Sequence, residues 1–169
     1  MKPDMFSQFK VPLGPSSIRL QIKLTGVTSP DDKAVFDSVY LLSVLSKCKP
    51  YIKETEVCVD KRHTKKEYEV FVEMRDTHMY NFIEYFIYCR FFYLVRTKYD
   101  IVHECVFMIR KYFFCITSNK FWMNLPDELL EFDCPIFMEF VFDKEIPLLP
   151  ILALNIMQIP TLDKRVFDT

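Results

Sequence analysis

The sequence predicts a single α+β domain in which helices pack against a largely antiparallel sheet. Three observations carry that expectation. Strand-like alternation recurs in several separate segments, helix-start signals with apolar spacing near 3.6 interrupt it, and no internal repeat or low-complexity linker divides the chain. At 169 residues, half of them hydrophobic and 27% charged, the chain is long enough to bury a core and too apolar to remain disordered. Residues 1–15 read as an irregular tail with three prolines, 16–160 as the domain and 161–169 as a C-terminal tail.

The elements follow in order. Ser16 to Leu24 alternates Ile18, Leu20, Ile22 and Leu24 with Arg19, Gln21 and Lys23, the pattern of a half-buried strand. Ser29-Pro30-Asp31-Asp32 reads as a helix start with Ser29 as N-cap and Pro30 in the first turn, and Val35, Val39, Leu42 and Leu45 continue at helical spacing to Ser46. Tyr51 to Val57 resumes as a strand, and a basic stretch, Lys61 to Lys66, precedes a second alternation over Glu67 to Met74. Asp76 reads as the N-cap of a helix that directs Met79, Ile83, Phe86 and Phe91 inward. Its other faces carry Tyr80, Phe82, Tyr85 and Tyr88, so little of it is expected to meet water. The pattern weakens from Tyr93 to Lys120, with a strand over Lys111 to Thr117 and a helical turn over Pro126 to Glu131. Pro135 to Phe142 reads as the last strand and Pro147 to Met157 as a closing helix.

Composition narrows the function. A formal net charge of −1 argues against a protein that grips nucleic acid over its whole surface, so RNA contact has to be local. The chain has 2 Gly, only Ala34 and Ala153 as alanines, 17 Phe and 9 Tyr, a bias that fits an AT-rich genome such as an organelle's. The six cysteines form no C-x-x-C pair and sit among apolar neighbours, as free buried thiols do. The first residues show neither a signal-peptide core nor an Arg-rich presequence, and no segment reads as a membrane span, because Glu84 and Arg90 interrupt the apolar run from Phe82 to Val95.

No catalytic constellation emerges, so the reading is of a non-enzyme without metal or cofactor. Two glycines twelve residues apart cannot build a phosphate loop, and the three histidines do not approach the cysteines at metal-site spacing. His103 and Cys105 would share a face of a strand, but a surface histidine beside a packed cysteine accounts for them more simply than a nucleophile and its base. Asp31-Asp32 is explained by helix capping and Glu54/Glu56 by an exposed strand face. Trp122 reads as a packing anchor before a base-stacking platform. The one stretch with nucleic-acid character holds Lys47, Lys49, Lys53, Lys61, Arg62, Lys65 and Lys66 with Tyr51 and His63 interleaved, and its bland reading is a solvated lysine-rich loop.

Several segments, taken in order, resemble large-subunit ribosomal protein five. Lys49-Pro50-Tyr51-Ile52-Lys53, ending a helix and opening a strand, is similar to that family's Lys-Pro-Val-Ile/Val-Thr element. Tyr68 to Asp76 followed by Met79-Tyr80-Asn81-Phe82-Ile83-Glu84 resembles its Gly-Val-Lys-Val-Thr-Leu-Arg-Gly strand and Met-Tyr-Glu-Phe-Leu-Asp helix. Pro135 to Phe140, then Leu154 to Pro160, resembles the closing strand and the Leu-Leu-Gly-Met-Pro ending. The resemblance implies a divergent, mitochondrial member at the central protuberance of the large subunit, in contact with rRNA (5S rRNA in the family) and with neighbouring ribosomal proteins. It further implies proximity to P-site tRNA and a bridge to the small-subunit head. The family's tRNA-facing loop falls near Arg96, Lys98 and Tyr99, here without its glycines, and Glu54 and Glu56 stand where the family is basic. A protein-interaction subunit of an organellar complex with no RNA partner is the alternative.

Overall fold

A computed structural model describes residues 14–27, 29, 32–97, 102–108 and 111–143. The closing helix expected over Pro147 to Met157 lies outside these residues, as do Lys98 and Tyr99. Six strands, β1 (Ser17–Leu24), β2 (Tyr51–Asp60), β3 (His63–Met74), β4 (Val102–Met108), β5 (Lys111–Ile116) and β6 (Ile136–Val141), form one sheet of order β2-β3-β1-β6-β5-β4, with every pairing antiparallel. Two helices, α1 (Lys33–Ser46) and α2 (Asp76–Thr97), and short 3-10 turns at Asn119–Phe121 and Asp127–Leu129 complete the described residues. The expected α+β class with a largely antiparallel sheet is the one observed.

Strand alternation sends one residue set inward. Ile18, Leu20 and Ile22 of β1, Val70, Val72 and Met74 of β3, and Ile136, Met138 and Phe140 of β6 are all buried against the helices. Val35, Leu41, Leu42 and Leu45 of α1 and Met79, Phe82, Phe86 and Cys89 of α2 meet them in one core. Gly26, at φ +78, makes the left-handed bend that turns the chain out of β1, a conformation open to glycine at no steric cost.

Several expectations are corrected. The N-cap of α1 is Asp32, not Ser29: its carboxylate accepts the Ala34 backbone N–H at 3.0 Å, while Ser29 contributes a carbonyl that accepts the Asp32 N–H at 3.3 Å. α2 opens at Asp76, where a helix start is expected, and the φ of 52 at that residue lies outside the helical region. The basic stretch 61–66 is not a loop. Only Lys61 and Arg62 form the turn, and His63 onward belongs to β3, with a register shift between Cys58 and Asp60 that accommodates a turn lacking glycine. α2 continues to Thr97, and β4 follows it unannounced, because a register shift between His103 and Val106 breaks the alternation that would have marked a strand.

The largest departure concerns α2. Tyr80, Tyr88, Phe91, Phe92 and Val95 are 40–66% exposed. Phe91 stands five residues after buried Phe86, about 140° around the helix, and so falls on the solvent side. Among the described residues only one side of α2 is covered, by the sheet, α1 and the Asn119–Phe121 turn.

Lys47 ends α1 in the left-handed conformation, φ 58, with its N–H donating to Ser43 O at 3.0 Å. Glycine is the usual residue there, because a Cβ costs on the order of 1 kcal/mol in that region. Lys47→Gly is therefore expected to stabilise the free protein by up to about 1 kcal/mol, read as a higher urea midpoint at unchanged m value. An unchanged or lower midpoint would rule out strain at this cap.

Candidate nucleic-acid interface

The helices cover one face of the sheet, and the opposite, more open face is exposed at Tyr51, Lys23 and Phe137 and buried at Ser17 and Cys115. Register aligns one row across all six strands: Tyr51, Phe71, Gln21, Phe137, Cys115 and, at the far edge, His103. Such a row spans roughly 24 Å at about 4.8 Å per strand. Tyr51 and Phe71 are stacked with ring centroids 5.8 Å apart, the Arg19 guanidinium lies 4.2 Å over the Phe71 ring, and Lys23 Nζ is 5.4 Å from the Phe137 centroid. Tyr51 and Phe137 are 59% and 39% exposed. Exposed rings beside cations on an open sheet suit stacking of unpaired bases with nearby phosphate contact.

The charge on this face is mixed. Arg19, Lys23, Lys53, Lys65 and Lys111 share it with Glu67, Glu69, Glu73 and Glu139. Glu69 sits 3.5 Å from Arg19, and Glu139 sits 2.9 Å from Lys111, which leaves less positive potential than those cations would create alone. Any RNA held here meets aromatic surface with scattered cations rather than a basic groove.

The seven basic residues picked out in sequence do not form one patch. Lys53 and Lys65 lie on the open face of the β2–β3 hairpin, and Lys61 and Arg62 form its tip. Lys66 faces the other way and holds Glu54 at 2.6 Å. That hydrogen bond, followed by the charges of Glu54 and Glu56, raises the ammonium's pKa above its usual value. Lys47 sits apart, on the rim of a cleft of about 410 Å³ between α1 and α2 that Leu45, His78, Asn81, Phe82 and Asn124 also line. Lys49 lies between the α1 cap and β2. Consecutive strand residues point to opposite faces, so a run that is dense along the chain is divided in space.

Glu54 and Glu56 consequently do not oppose phosphate on the open face. They point to the helix side, while Lys53 and Lys65 point away from it. Sequence reasoning missed Arg19, Lys23, Phe71 and Phe137, which come from strands far apart in the chain. The one sequence signal for them was their place on the polar side of alternating strands. Arg96 is at the end of α2, where it donates to Lys120 O at 2.9 Å and lies 5.8 Å from the Tyr93 ring centroid, a packing role.

Trp122 is an anchor. It is 5% exposed and touches Phe82, Tyr85, Phe86 and Phe121 at centroid distances of 5.0 to 6.2 Å. Its indole nitrogen is buried with no hydrogen-bond partner among the described residues. Tyr85 braces the same corner by donating to Met123 O at 2.5 Å. Burial raises the pKa of Cys48 and Cys89, and burial followed by the nearby Asp133 charge pushes Cys134 up to about 12, so these three thiols are not poised as nucleophiles. β4 pairs with β5 at His103↔Cys115, with a register shift between His103 and Val106.

No known protein-family model matches this chain, and no curated protein sequence matches it. Among solved structures it is similar to Mth689, a DUF54 protein from Methanothermobacter thermautotrophicus, with a TM-score of 0.47 and 12% identity over 86% of this chain and 97% of that one. A likeness at that level carries no argument about activity or partners.

Three outcomes follow from this geometry. Trp122→Ala should cost about 3–5 kcal/mol of stability, and Trp122→Phe markedly less, because the orphaned N–H leaves with the indole. Titration with RNA should leave Trp122 emission unchanged, and strong quenching would count against an anchor role. Iodoacetamide at neutral pH should modify exposed Cys58 while Cys89 and Cys134 react only on unfolding. Rapid native-state labelling of Cys134 would contradict its burial.

Proposed function

We propose that this chain is a non-catalytic constituent of the large ribosomal subunit, in a divergent mitochondrial form. It sits at the central protuberance, touching rRNA through the open sheet face and the β2–β3 hairpin, and neighbouring proteins through its remaining surface. The observation that carries this reading is the agreement of element types with the resemblance: Lys49–Lys53 bridges the end of α1 and the start of β2, Tyr68–Met74 lies in β3, Met79–Glu84 in α2 and Ile136–Phe140 in β6. Cations and exposed rings on one open face support RNA contact there. Proximity to P-site tRNA and to the small-subunit head rests on the resemblance alone.

One observation favours a second reading, a protein-interaction subunit of an organellar complex without RNA. The exposed stripe Tyr80, Tyr88, Phe91 and Val95 on α2 is apolar surface of the kind that protein partners cover.

Co-sedimentation separates the two. In the ribosomal reading the tagged protein migrates with large subunits through a high-salt gradient, whereas recovery only in lighter, RNA-free fractions would exclude it. Replacing Lys61 and Arg62 with Gln should flatten the salt dependence of subunit binding by about one unit of slope for each phosphate those side chains touch. An unaltered slope would remove the hairpin tip from the interface.

A further inference from the structure

Among the described residues β2 is an edge strand of the sheet. It pairs with β3 on one side and, among the described residues, with nothing on the other. All ten of its residues are exposed, so half of its peptide N–H and C=O groups face solvent along a strand of about 33 Å. Native edges are usually short, or blunted by bulges, prolines or charged side chains, and β2 relies on charge, with Lys53, Glu54, Glu56 and Asp60 along its length. Here the register shift of the β2–β3 pair lies at the hairpin end, between Cys58 and Asp60. The strand also presents Tyr51, Ile52, Val57 and Val59, each 38–62% exposed.

Charge selects among occupants of this edge. Register with β3 sets Ile52, Glu54, Glu56 and Cys58 on the helix side and Tyr51, Lys53, Thr55 and Val57 on the open side. Of the two carboxylates, only Glu54 is in an ion pair among the described residues. A second copy is disfavoured. In two-fold antiparallel pairing, opposed residues share a face, and registers centred on Glu54, Thr55 or Glu56 set Glu54 against Glu54, Glu54 against Glu56, or Glu56 against Glu56. Directly opposed like charges destabilise a sheet. A phosphate backbone along the helix side of this edge meets the same repulsion.

We propose that β2 is a docking edge for an extended segment of another protein, which adds as a further strand and carries Lys or Arg at alternate positions that meet Glu54 and Glu56. Main-chain hydrogen bonds supply the attachment, and period-two charge supplies the selectivity. Ile52 and Cys58 flank the two carboxylates on the same side and offer apolar contact to the residues beyond the basic ones. Such docking needs neither rRNA nor a particle, and it uses the outer edge of β2 where the ribosomal reading uses the open sheet face and the hairpin tip at Lys61 and Arg62.

The test uses the full chain and two ten-residue peptides, one alternating Lys and Val and its twin alternating Glu and Val. Amide hydrogen exchange resolved by NMR should slow along Tyr51–Asp60 with the basic peptide and not with the acidic one. Glu54→Lys combined with Glu56→Lys, both at exposed positions, should reverse that preference by about tenfold or more in relative affinity, a change of about 1.4 kcal/mol. An unchanged thermal melt confirms that the variant is folded. Equal binding of both peptides, protection confined to α2 or the open face, or self-association of the free chain through β2 would each overturn the proposal. Protection of the same amides by an RNA oligonucleotide would overturn it too.

Discussion

β1 is hydrogen-bonded along both edges, to β3 from Ile18↔Met74 through Leu24↔Tyr68 and to β6 from Ser17↔Val141 through Gln21↔Phe137. Its two-residue period therefore fixes, through register, which face of its neighbours meets the helices. Ile18, Leu20 and Ile22 are completely buried, and each contributes on the order of 2–3 kcal/mol by leaving water. A one-residue slip of this strand would carry Arg19, Gln21 and Lys23 into the core and Ile18, Leu20 and Ile22 out of it. Both the buried core and the open, ring-bearing face follow from that single constraint.

The same constraint divides the hairpin. All of β2 and the first four residues of β3 are exposed, so their alternation there no longer separates core from solvent and instead separates two chemistries. Lys53, Lys65 and Tyr51 share one face, and Glu54, Glu56 and Lys66 share the other. A face with several cations and near-zero net charge are compatible for this reason. The acidic residues that in sequence interrupt a basic element lie behind it, where the ion pair between Lys66 and Glu54 takes up one of them.

α2 illustrates a different balance. It carries more apolar surface than its described neighbours cover: Met79, Phe82, Ile83, Phe86 and Cys89 enter the core, and Tyr80, Tyr88, Phe91 and Val95 do not. Trp122 and Phe121 close the buried side with a cluster of rings, whose edge-on and tilted contacts add to the area they bury. Together with the outer edge of β2, the outer stripe of α2 gives the molecule two surfaces suited to protein neighbours and one, the open sheet face, suited to bases and phosphates.

The sequence by itself determined the α+β class, β1, the helix that ends at Ser46, the strands that open at Tyr51 and Lys111, the strand over Glu67–Met74, the helix that starts at Asp76 and the strand near Ile136, because each is an alternation or a 3.6-residue pattern that local physics makes legible. It also located the basic residues and marked Trp122 as an anchor. Tertiary structure alone decided the remainder. Asp32 displaced Ser29 as the cap because its carboxylate reaches the Ala34 amide. β4 stayed hidden because a register shift erased its alternation, and α2 left aromatic residues in water because covering them depends on what packs beside the helix. The site depended most on tertiary structure, since Tyr51, Phe71, Gln21 and Phe137 become one row only through strand register, a relation between residues up to 116 positions apart that no local pattern encodes.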